Sequence, residues 1–353
     1  MELYRLKLEL FYYGVDLSVE AIKKLNLVNG KLTFDDYITT RGLILMLNED
    51  IFVNAEINKE SNYKIDYVDN SFVIINNGKL ISSINNIIQP PKFALNGDII
   101  SAGYHITNFV NVHGDRARLQ PIGGCVNSCA FCDMDSLEYI IKDIGNLDEA
   151  FRIVLEHERI KHCLISGGSP KERQEDYDYL TSVYKYFPEK YKNIAFDIMM
   201  TPRSEFIGKD SIQDYKSYLE KLKSWLISGL SINLELYNDD LRKKYISGKE
   251  QIGKEKYFEF IKIAVEIFGI ENIRSCVIVG LESKEDTLRA VRELSELGCI
   301  PVLSPYVPYK LDVAKPTPEF MEEVLIESNN IVKQKGLKLG PTCKVCNHNI
   351  INF

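Results

Sequence analysis

The segment Gly123-Gly124-Cys125-Val126-Asn127-Ser128-Cys129-Ala130-Phe131-Cys132-Asp133 places three cysteines close together, with an aromatic residue directly before the last. The C-x3-C-x2-C spacing lets one loop present three thiolates to one metal centre, and thiolates are the usual ligands of iron–sulfur clusters. A [4Fe–4S] cluster normally takes four cysteines, so three would leave one iron open to a non-protein ligand. A structural zinc site would need a fourth ligand nearby, and neither His113 nor His157 has zinc-finger spacing.

The composition is that of a soluble globular protein of 353 residues, which is enough for one large domain or a barrel with an added module. The net charge of −7 argues against a dedicated nucleic-acid binder. The sequence contains no apolar run of membrane-spanning length and no signal-peptide pattern at its start, so we expect a cytoplasmic protein with no membrane partner. In that reducing compartment the eight cysteines are expected to be metal ligands, redox groups or buried thiols.

Residues 1–110 are predicted to form a small α+β module of their own. Ser18 is a plausible cap for a helix over Val19–Leu25, and Asn76-Asn77-Gly78 has the composition of a hairpin turn. The expected strands are Ile51–Ile57, Tyr63–Val68, Phe72–Ile75 and Leu80–Ile84. Gln89–Lys92 breaks the pattern as a linker would. The module could pack against the bottom of a barrel or serve as a lid or substrate-recognition element.

From Arg118 onward strands alternate with helices, which predicts an α/β fold with a full or partial TIM-like barrel over residues 111–340. The expected strands are Leu119–Ile122, His162–Ser166, Ile194–Met200, Leu230–Leu236, Ile273–Val279, Ile300–Leu303 and Leu337–Leu339. Catalytic groups of such barrels lie beyond the carboxyl ends of the strands. The cysteine segment follows the first strand, so we expect it on that face.

The C-x3-C-x-aromatic-C arrangement of Cys125, Cys129, Phe131 and Cys132 resembles the signature of the radical SAM superfamily, and the resemblance extends over about residues 115–340. It implies that the three cysteines hold a [4Fe–4S] cluster whose open iron binds S-adenosylmethionine (SAM), with Phe131 beside the cofactor. It further implies reductive cleavage of SAM and hydrogen abstraction from a substrate by a 5′-deoxyadenosyl radical. An electron donor such as flavodoxin or ferredoxin would be a partner.

Ser166-Gly167-Gly168-Ser169-Pro170 follows the second strand, and its glycines let backbone approach a ligand closely. The segment resembles the Gly-Gly-Glu-type turn with which the family binds the methionine amino group of SAM. Ser169 stands where the family has Glu, which leaves the backbone contacts intact. The resemblance therefore assigns Gly167, Gly168, Ser169 and Pro170 to cofactor binding.

In the fourth strand, period-two alternation directs apolar side chains outward and places Asn233 and Glu235 in the barrel lumen. A buried carboxylate needs a partner, so Glu235 should meet a ligand hydroxyl, a cation or an internal Lys or Arg. By resemblance, polar residues here contact the ribose or methionine end of SAM; an internal ion pair is the structural alternative. Asp197 follows the same logic, and Arg203 could hold a substrate carboxylate or phosphate.

The fifth strand resembles the family's Gly-x-Ile-x-Gly strand, whose Ile packs on adenine, so Ile278 is assigned to cofactor binding. Cys276 occupies the first Gly position and shares a face with Ile278 because the two are two residues apart. The Cys276 thiol could ligate a second metal, donate a hydrogen atom in catalysis or be inert.

The sequence ends with Gly340-Pro341-Thr342-Cys343-Lys344-Val345-Cys346-Asn347-His348 and five further residues, and its Cys-x2-Cys pair can bind one metal. Residues 341–353 are expected to follow the seventh strand and to lie on the catalytic face. Cys343 and Cys346 are interpreted as ligands of an auxiliary iron–sulfur cluster, completed by one or two of Cys276, Cys163 and Cys299. A zinc site with His348, a redox dithiol and free thiols are the alternatives.

Three functions are compatible with these patterns. The first is a radical SAM enzyme acting on a small metabolite or a precursor of a cofactor or natural product. The second is a peptide- or protein-modifying radical SAM enzyme with residues 1–110 as its recognition domain. The third is a non-catalytic iron–sulfur protein, against which the Gly-Gly turn and the polar fourth strand argue, because a scaffold needs no SAM pocket.

Overall fold

A computed structural model describes residues 2–25, 42–171, 173–202 and 212–353. An N-terminal module of short strands and helices precedes a larger sheet. The module contains α1 (Leu3–Tyr13), β1 (Asp16–Leu17), α2 (Val19–Leu25), β2 (Gly42–Met46), β3 (Phe52–Glu56), β4 (Tyr63–Val68), β5 (Ser71–Asn76), β6 (Lys79–Ile84), β7 (Asn86–Ile88) and α3 (Lys92–Asn96).

The module consists of two small sheets with strand orders β1-β4-β5-β6 and β3-β2-β7. The predicted helix is α2, and Ser18 Oγ accepts a hydrogen bond of 3.0 Å from the backbone N–H of Ala21, as an N-cap does. The predicted hairpin turn joins β5 to β6, with φ of 49° at Asn77 and 75° at Gly78. Sequence patterns missed α1, β2 and β7.

The second part contains a sheet surrounded by helices. Its elements are β8 (Val110–His113), β9 (Arg116–Leu119), β10 (Ile122–Gly123), β11 (Ile140–Ile141), α4 (Ile144–His157), β12 (His162–Ile165), α5 (Gln174–Lys190), β13 (Ala195–Met199), α6 (Ile212–Ser224), β14 (Ile227–Ser231), α7 (Asp239–Tyr245), α8 (Ser247–Glu250), α9 (Lys254–Phe268), β15 (Ile273–Val279), α10 (Lys284–Glu296), β16 (Ile300–Pro305) and α11 (Pro318–Gln334). Short 3-10 helices cover Ile106–Asn108, Met134–Ser136 and Val345–Asn349.

The sheet has seven strands in the order β16-β15-β14-β13-β12-β9-β8. All neighbouring pairs are parallel except β8 and β9, which form an antiparallel hairpin at one edge. The sheet curls but does not close, since β8 and β16 do not pair with each other. The prediction of a TIM-like barrel with a small N-terminal α+β module is therefore confirmed in its partial form.

The seventh predicted strand, Leu337–Leu339, is wrong. The backbone N–H of Leu337 bonds back to the carbonyl of Val332 at 2.9 Å, so this segment ends α11 instead of joining the sheet. The chain next meets β16 at Gly340, whose N–H donates to the carbonyl of Pro301 at 3.0 Å.

The module packs against the barrel through α1. Leu8 belongs to the large core between the sheet and its helices, and Arg5 forms ion pairs with Glu319 and, at 2.7 Å, with Glu322 of α11. Phe93 and Ile106, which follow the linker, belong to the same core. Among the described helices, none is both long enough and apolar enough for a membrane crossing.

Candidate functional site

The cysteine loop, Cys125–Cys132, follows β10 and lies at the carboxyl ends of the parallel strands, as predicted. The Cys129 side chain is buried, and Cys125 and Cys132 are half-buried. The N–H of Ala130 donates to the carbonyl of Tyr245 at 2.8 Å, which anchors the loop to the end of α7. Burial raises the pKa of the Cys129 thiol to about 12.

The Gly-Gly turn packs directly on this loop. The N–H groups of Ser169 and Asn127 donate to Cys125 Sγ, at 3.2 and 3.4 Å. A Cβ on Gly168 would lie 1.4 Å from the carbonyl oxygen of Gly124, and Gly124 itself has φ of 67°. Both positions therefore require glycine, because backbone crosses backbone here.

A cavity of about 180 Å³ lies between the loop, the turn and the strand ends. It brings together most of the residues that the sequence singled out: Cys125, Cys129, Phe131, Cys132, Gly167, Gly168, Ser169, Pro170, Asn233 and Glu235. Arg118 and Lys249 complete its charged lining. Arg118 Nε donates to Ser166 Oγ at 2.6 Å, and burial lowers the pKa of Arg118 to about 10.

Glu235 forms an ion pair with an internal lysine, one of the partners predicted for a buried carboxylate at this position. Lys249 Nζ lies 2.6 Å from Glu235 Oε1, whereas Glu235 Oε2 is buried and has no hydrogen-bond partner among the described residues. Burial opposes the charge on Lys249, but the neighbouring carboxylate raises the pKa of Lys249 above its usual value. Thus the structural alternative accounts for one carboxylate oxygen, and the second oxygen is left for a ligand.

The strand carrying Glu235 is irregular at this point. Glu235 has φ of 66° and forms an isolated bridge with Val277 beyond the end of β14. Arg242 Nη1 donates to the carbonyls on either side, those of Leu234 at 3.0 Å and Leu236 at 2.9 Å. Such a backbone conformation is costly for a residue other than glycine and is stable only when its surroundings hold it in place.

Cys276 and Ile278 point to the same side of β15 but reach different surroundings. Ile278 packs with Cys129 and Leu236 beside the cysteine loop. Cys276 lines a second cavity of about 470 Å³ in the amino-terminal half of the lumen, which Asn233 also borders. Burial raises the pKa of Cys276 to about 12, so its thiol is protonated at neutral pH.

Of the two weaker candidates, Asp197 forms an ion pair with Arg274 at 2.8 Å and lines the second cavity. Arg203 lies outside the described residues.

The sequence patterns did not predict the roles of Lys249, Arg118 and Asn127 in this site. The side-chain amide of Asn127 donates to Ser169 Oγ at 2.8 Å. Asn127 could have been found from its place between the cysteines, but no sequence signal connects Lys249 to Glu235.

The predicted position of Cys343 and Cys346 on the catalytic face is wrong. Their thiols lie within 4.8 Å of each other and of the ligand nitrogen of His162, the first residue of β12. They are therefore at the amino ends of the strands, because the chain after α11 forms no seventh strand to carry it across the barrel. Cys276 is not in this group, and Cys163 and Cys299 are core thiols with no exposed surface.

His348 does not join the pair either. Its Nδ1 lies 2.7 Å from the carbonyl oxygen of Val345, and its ring packs 5.5 Å from that of His113.

No family model matches the sequence, and no curated protein is similar to it. Solved structures with a similar fold include the FeFe-hydrogenase maturase HydG from Carboxydothermus hydrogenoformans, at 15% identity and a TM-score of 0.49 over 67% of this chain and 57% of that one. A radical SAM methyltransferase from Sphaerobacter thermophilus matches at 13% identity and a TM-score of 0.47, over 80% and 77%. Streptococcus suis SuiB, solved with the precursor peptide SuiA, matches at 15% identity and a TM-score of 0.47, over 68% and 51%. This chain thus spans a little over half the length of HydG, and at such scores the similarities identify neither a reaction nor a cofactor.

Proposed function

We propose that this chain is a radical SAM enzyme that holds a [4Fe–4S] cluster on Cys125, Cys129 and Cys132 and binds SAM in the adjoining cavity. The observation that carries the proposal is Glu235 Oε2. It is a buried carboxylate oxygen without a partner among the described residues, in a cavity lined by three cysteines and a Gly-Gly turn. Most buried polar groups are hydrogen-bonded, so this oxygen has an acceptor position that a ligand could use.

The residues present fit the cluster and SAM. Among the described residues, the lining of this cavity contains three cysteines and no fourth cysteine or histidine, which matches a cluster with one open iron. In the part of the chain that the structure describes, the His, Cys, Asp or Glu side chains that lie close enough together to hold one metal ion are His162, Cys343 and Cys346. The three loop thiols do not form such a group, as expected for ligands of a larger cluster. When bound, the reduced cluster would supply reductive cleavage of SAM to methionine and a 5′-deoxyadenosyl radical that takes hydrogen from a substrate.

The protein's own groups bind and orient SAM in this proposal. Gly167 and Gly168 offer backbone to the methionine end of SAM, and Glu235 accepts a hydrogen bond from an amino or hydroxyl group while Lys249 holds it in place. Phe131 and Ile278 provide apolar contacts beside the loop. Cys276 keeps its S–H bond at neutral pH and is available as a hydrogen donor deeper in the lumen.

The proposed substrate is a small metabolite or a precursor of a cofactor or natural product, and the proposed electron donor is a flavodoxin or ferredoxin. The alternative is a peptide- or protein-modifying enzyme with residues 1–110 as its recognition domain. An auxiliary cluster on Cys343 and Cys346 would lie at the opposite end of the barrel from the cysteine loop.

Electron paramagnetic resonance of the anaerobically reconstituted, dithionite-reduced protein tests this function. We expect a [4Fe–4S]⁺ signal that shifts when SAM is added. It should disappear in Cys129→Ala and persist in the matched variant Cys299→Ala, which removes a core thiol far from the loop. A signal indifferent to SAM, or one retained without Cys129, would contradict the proposal.

A further inference from the structure

We propose that His162, Cys343 and Cys346 bind one Zn²⁺ ion at the amino-terminal end of the barrel, with Asp115 as the fourth ligand. This site is separate from the proposed radical chemistry and does not depend on it.

Three distant parts of the sequence supply the ligands. His162 begins β12, Asp115 lies in the turn between β8 and β9, and the two cysteines flank the start of the Val345–Asn349 3-10 helix. The donor atoms of His162, Cys343 and Cys346 all lie within 4.8 Å of one another. Tetrahedral zinc has bonds of about 2.0–2.3 Å to nitrogen and sulfur, so a small contraction of this group would complete the coordination.

Asp115 lies beside two members of this group. Its Oδ1 lies 3.6 Å from His162 Nε2 and 3.8 Å from Cys343 Sγ. His162 Nε2 is buried and makes no hydrogen bond to the described residues, so a ring nitrogen is available at the point where the other donors converge. Lys161 Nζ contacts the second carboxylate oxygen of Asp115 at 3.1 Å and can orient it, as groups around metal ligands commonly do.

The donor set favours a single zinc ion over a [4Fe–4S] cluster. The ligands of a [4Fe–4S] cluster each bind a different iron and lie around the cluster, whereas these three donor atoms lie within 4.8 Å of one another. Cysteine, histidine and aspartate are all zinc ligands, and the three negative charges of the two thiolates and the carboxylate are balanced by the two of the metal and the one of Arg116, which lines the same cavity.

The ion would hold the C-terminal segment against both halves of the open barrel. Val345 already packs on Gly114 of the β8–β9 turn, where an added Cβ would lie 2.7 Å from Val345 Cγ1. Further on, the N–H of Ile351 donates to the carbonyl of Leu303 in β16 at 2.8 Å. A metal bridge from this segment to Asp115 in the β8–β9 turn would therefore connect β16, one edge of the sheet, with the hairpin at its other edge.

The test is metal analysis of protein purified without oxygen, in the wild type and in a Cys125→Ala/Cys129→Ala/Cys132→Ala background that removes the proposed cluster. We expect one zinc per chain in both, and its loss in Cys343→Ser/Cys346→Ser. Cys276→Ser, a change of a thiol in the same cavity but outside the group, should keep the zinc. Because the triple background lacks the cysteine loop, failure of the radical SAM function would leave this result unchanged.

Titration of chelator-treated protein with Co²⁺ supplies a second readout. We expect a thiolate-to-cobalt charge-transfer band and the absorption of tetrahedral cobalt at one equivalent. Mutation of a residue that only hydrogen-bonds to a metal ligand weakens metal affinity by about 10–100-fold. Loss of a direct ligand in His162→Gln should therefore weaken Co²⁺ binding by more than tenfold. Absence of stoichiometric zinc and cobalt binding, binding unaffected by His162→Gln, a Cys343–Cys346 disulfide in place of metal, or iron and sulfide bound by these cysteines would each overturn the proposal.

Discussion

At the scale of single residues, the buried pair of Glu235 and Lys249 lines the cavity where SAM is proposed to bind. Lys249 is 9% exposed and its charge is matched by Glu235 alone within hydrogen-bond distance among the described side chains. Removing one member of such a pair leaves an unpaired buried charge, whereas removing both does not. This difference allows the contribution of Glu235 to folding to be separated from its contribution to binding.

Glu235→Gln should weaken SAM binding by at least about tenfold, because a hydrogen bond to a charged group contributes about 1.5–3 kcal/mol. It should also lower the unfolding temperature, since Lys249 loses its counter-charge. The double variant Glu235→Gln/Lys249→Met should recover stability without recovering affinity. Equilibrium dialysis with SAM and thermal unfolding measure the two effects, and unchanged SAM affinity in both variants would assign Glu235 to the scaffold.

A second buried carboxylate, Glu282, predicts a pH dependence of stability. Its Oε2 accepts the N–H groups of Tyr237 at 2.8 Å and Asn238 at 3.1 Å, but burial dominates and raises its pKa from 4.5 to about 7. Because the folded-state pKa is the higher one, this group is neutral in both states below about pH 4.5, and its contribution to stability falls as the pH rises to about 7.

Glu282→Gln, which resembles the protonated acid, should remove this loss. We expect the variant to be more stable than the wild type at pH 8, by about 3 kcal/mol at most, and to approach it at pH 5. Denaturant unfolding at both pH values measures the difference. If the difference in the free energy of unfolding between the variant and the wild type is the same at both pH values, Glu282 does not titrate as described.

At the scale of elements, the site is built where two turns cross. The C-x3-C-x2-C spacing and the glycines of Ser166–Pro170 were visible in the sequence, and so was their common position after neighbouring strands. The direct contact of Gly168 with Gly124 was not visible, because it depends on how closely β10 approaches the end of β12. The same limit applies to Glu235, whose lumenal position follows from alternation but whose positive φ depends on Arg242, a residue on α7.

Substitution of neighbouring glycines tests this crossing. Gly168→Ala would place a Cβ 1.4 Å from the carbonyl oxygen of Gly124, so we expect it to impair iron incorporation and SAM binding. Gly123→Ala is the matched control, since its Cβ would meet no atom closer than 3.8 Å. Iron content after reconstitution distinguishes them, and equal incorporation by both variants would show that the crossing is not needed.

At the scale of the whole molecule, alternation of strands and helices was sufficient to predict a TIM-like barrel. Alternation could not predict that the sheet stays open, because closure depends on pairing between β8 and β16, which are far apart in sequence. The predicted strand Leu337–Leu339 was wrong for a related reason. A short apolar run can continue a sheet or pack against other parts of the fold. Here the residues that follow α11 contact the β8–β9 turn through Val345 and β16 through Ile351.

The N-terminal module and the barrel are joined by a buried lysine. Lys7 Nζ donates to the carbonyl of Asn347 at 2.8 Å and to Asn352 Oδ1 at 2.6 Å, both in the C-terminal segment. Lys7→Ala should leave these acceptors unpaired and lower the free energy of unfolding by about 1–3 kcal/mol. Lys23→Ala, an exposed lysine of α2, should change it little. We expect a single unfolding transition in both variants, and a separate transition of the module would contradict this description.

The most direct test of the central claim is the amount of 5′-deoxyadenosine formed by reconstituted protein with SAM and dithionite in the absence of oxygen. The wild type and Cys299→Ala should both produce it, because Cys299 is a core thiol far from the loop. Cys125→Ala/Cys129→Ala/Cys132→Ala should produce none, since no other described group of side chains lies beside the SAM cavity to hold the cluster. Cleavage of SAM by the triple variant at the wild-type rate, or no cleavage by the cluster-loaded wild type, would contradict the assignment.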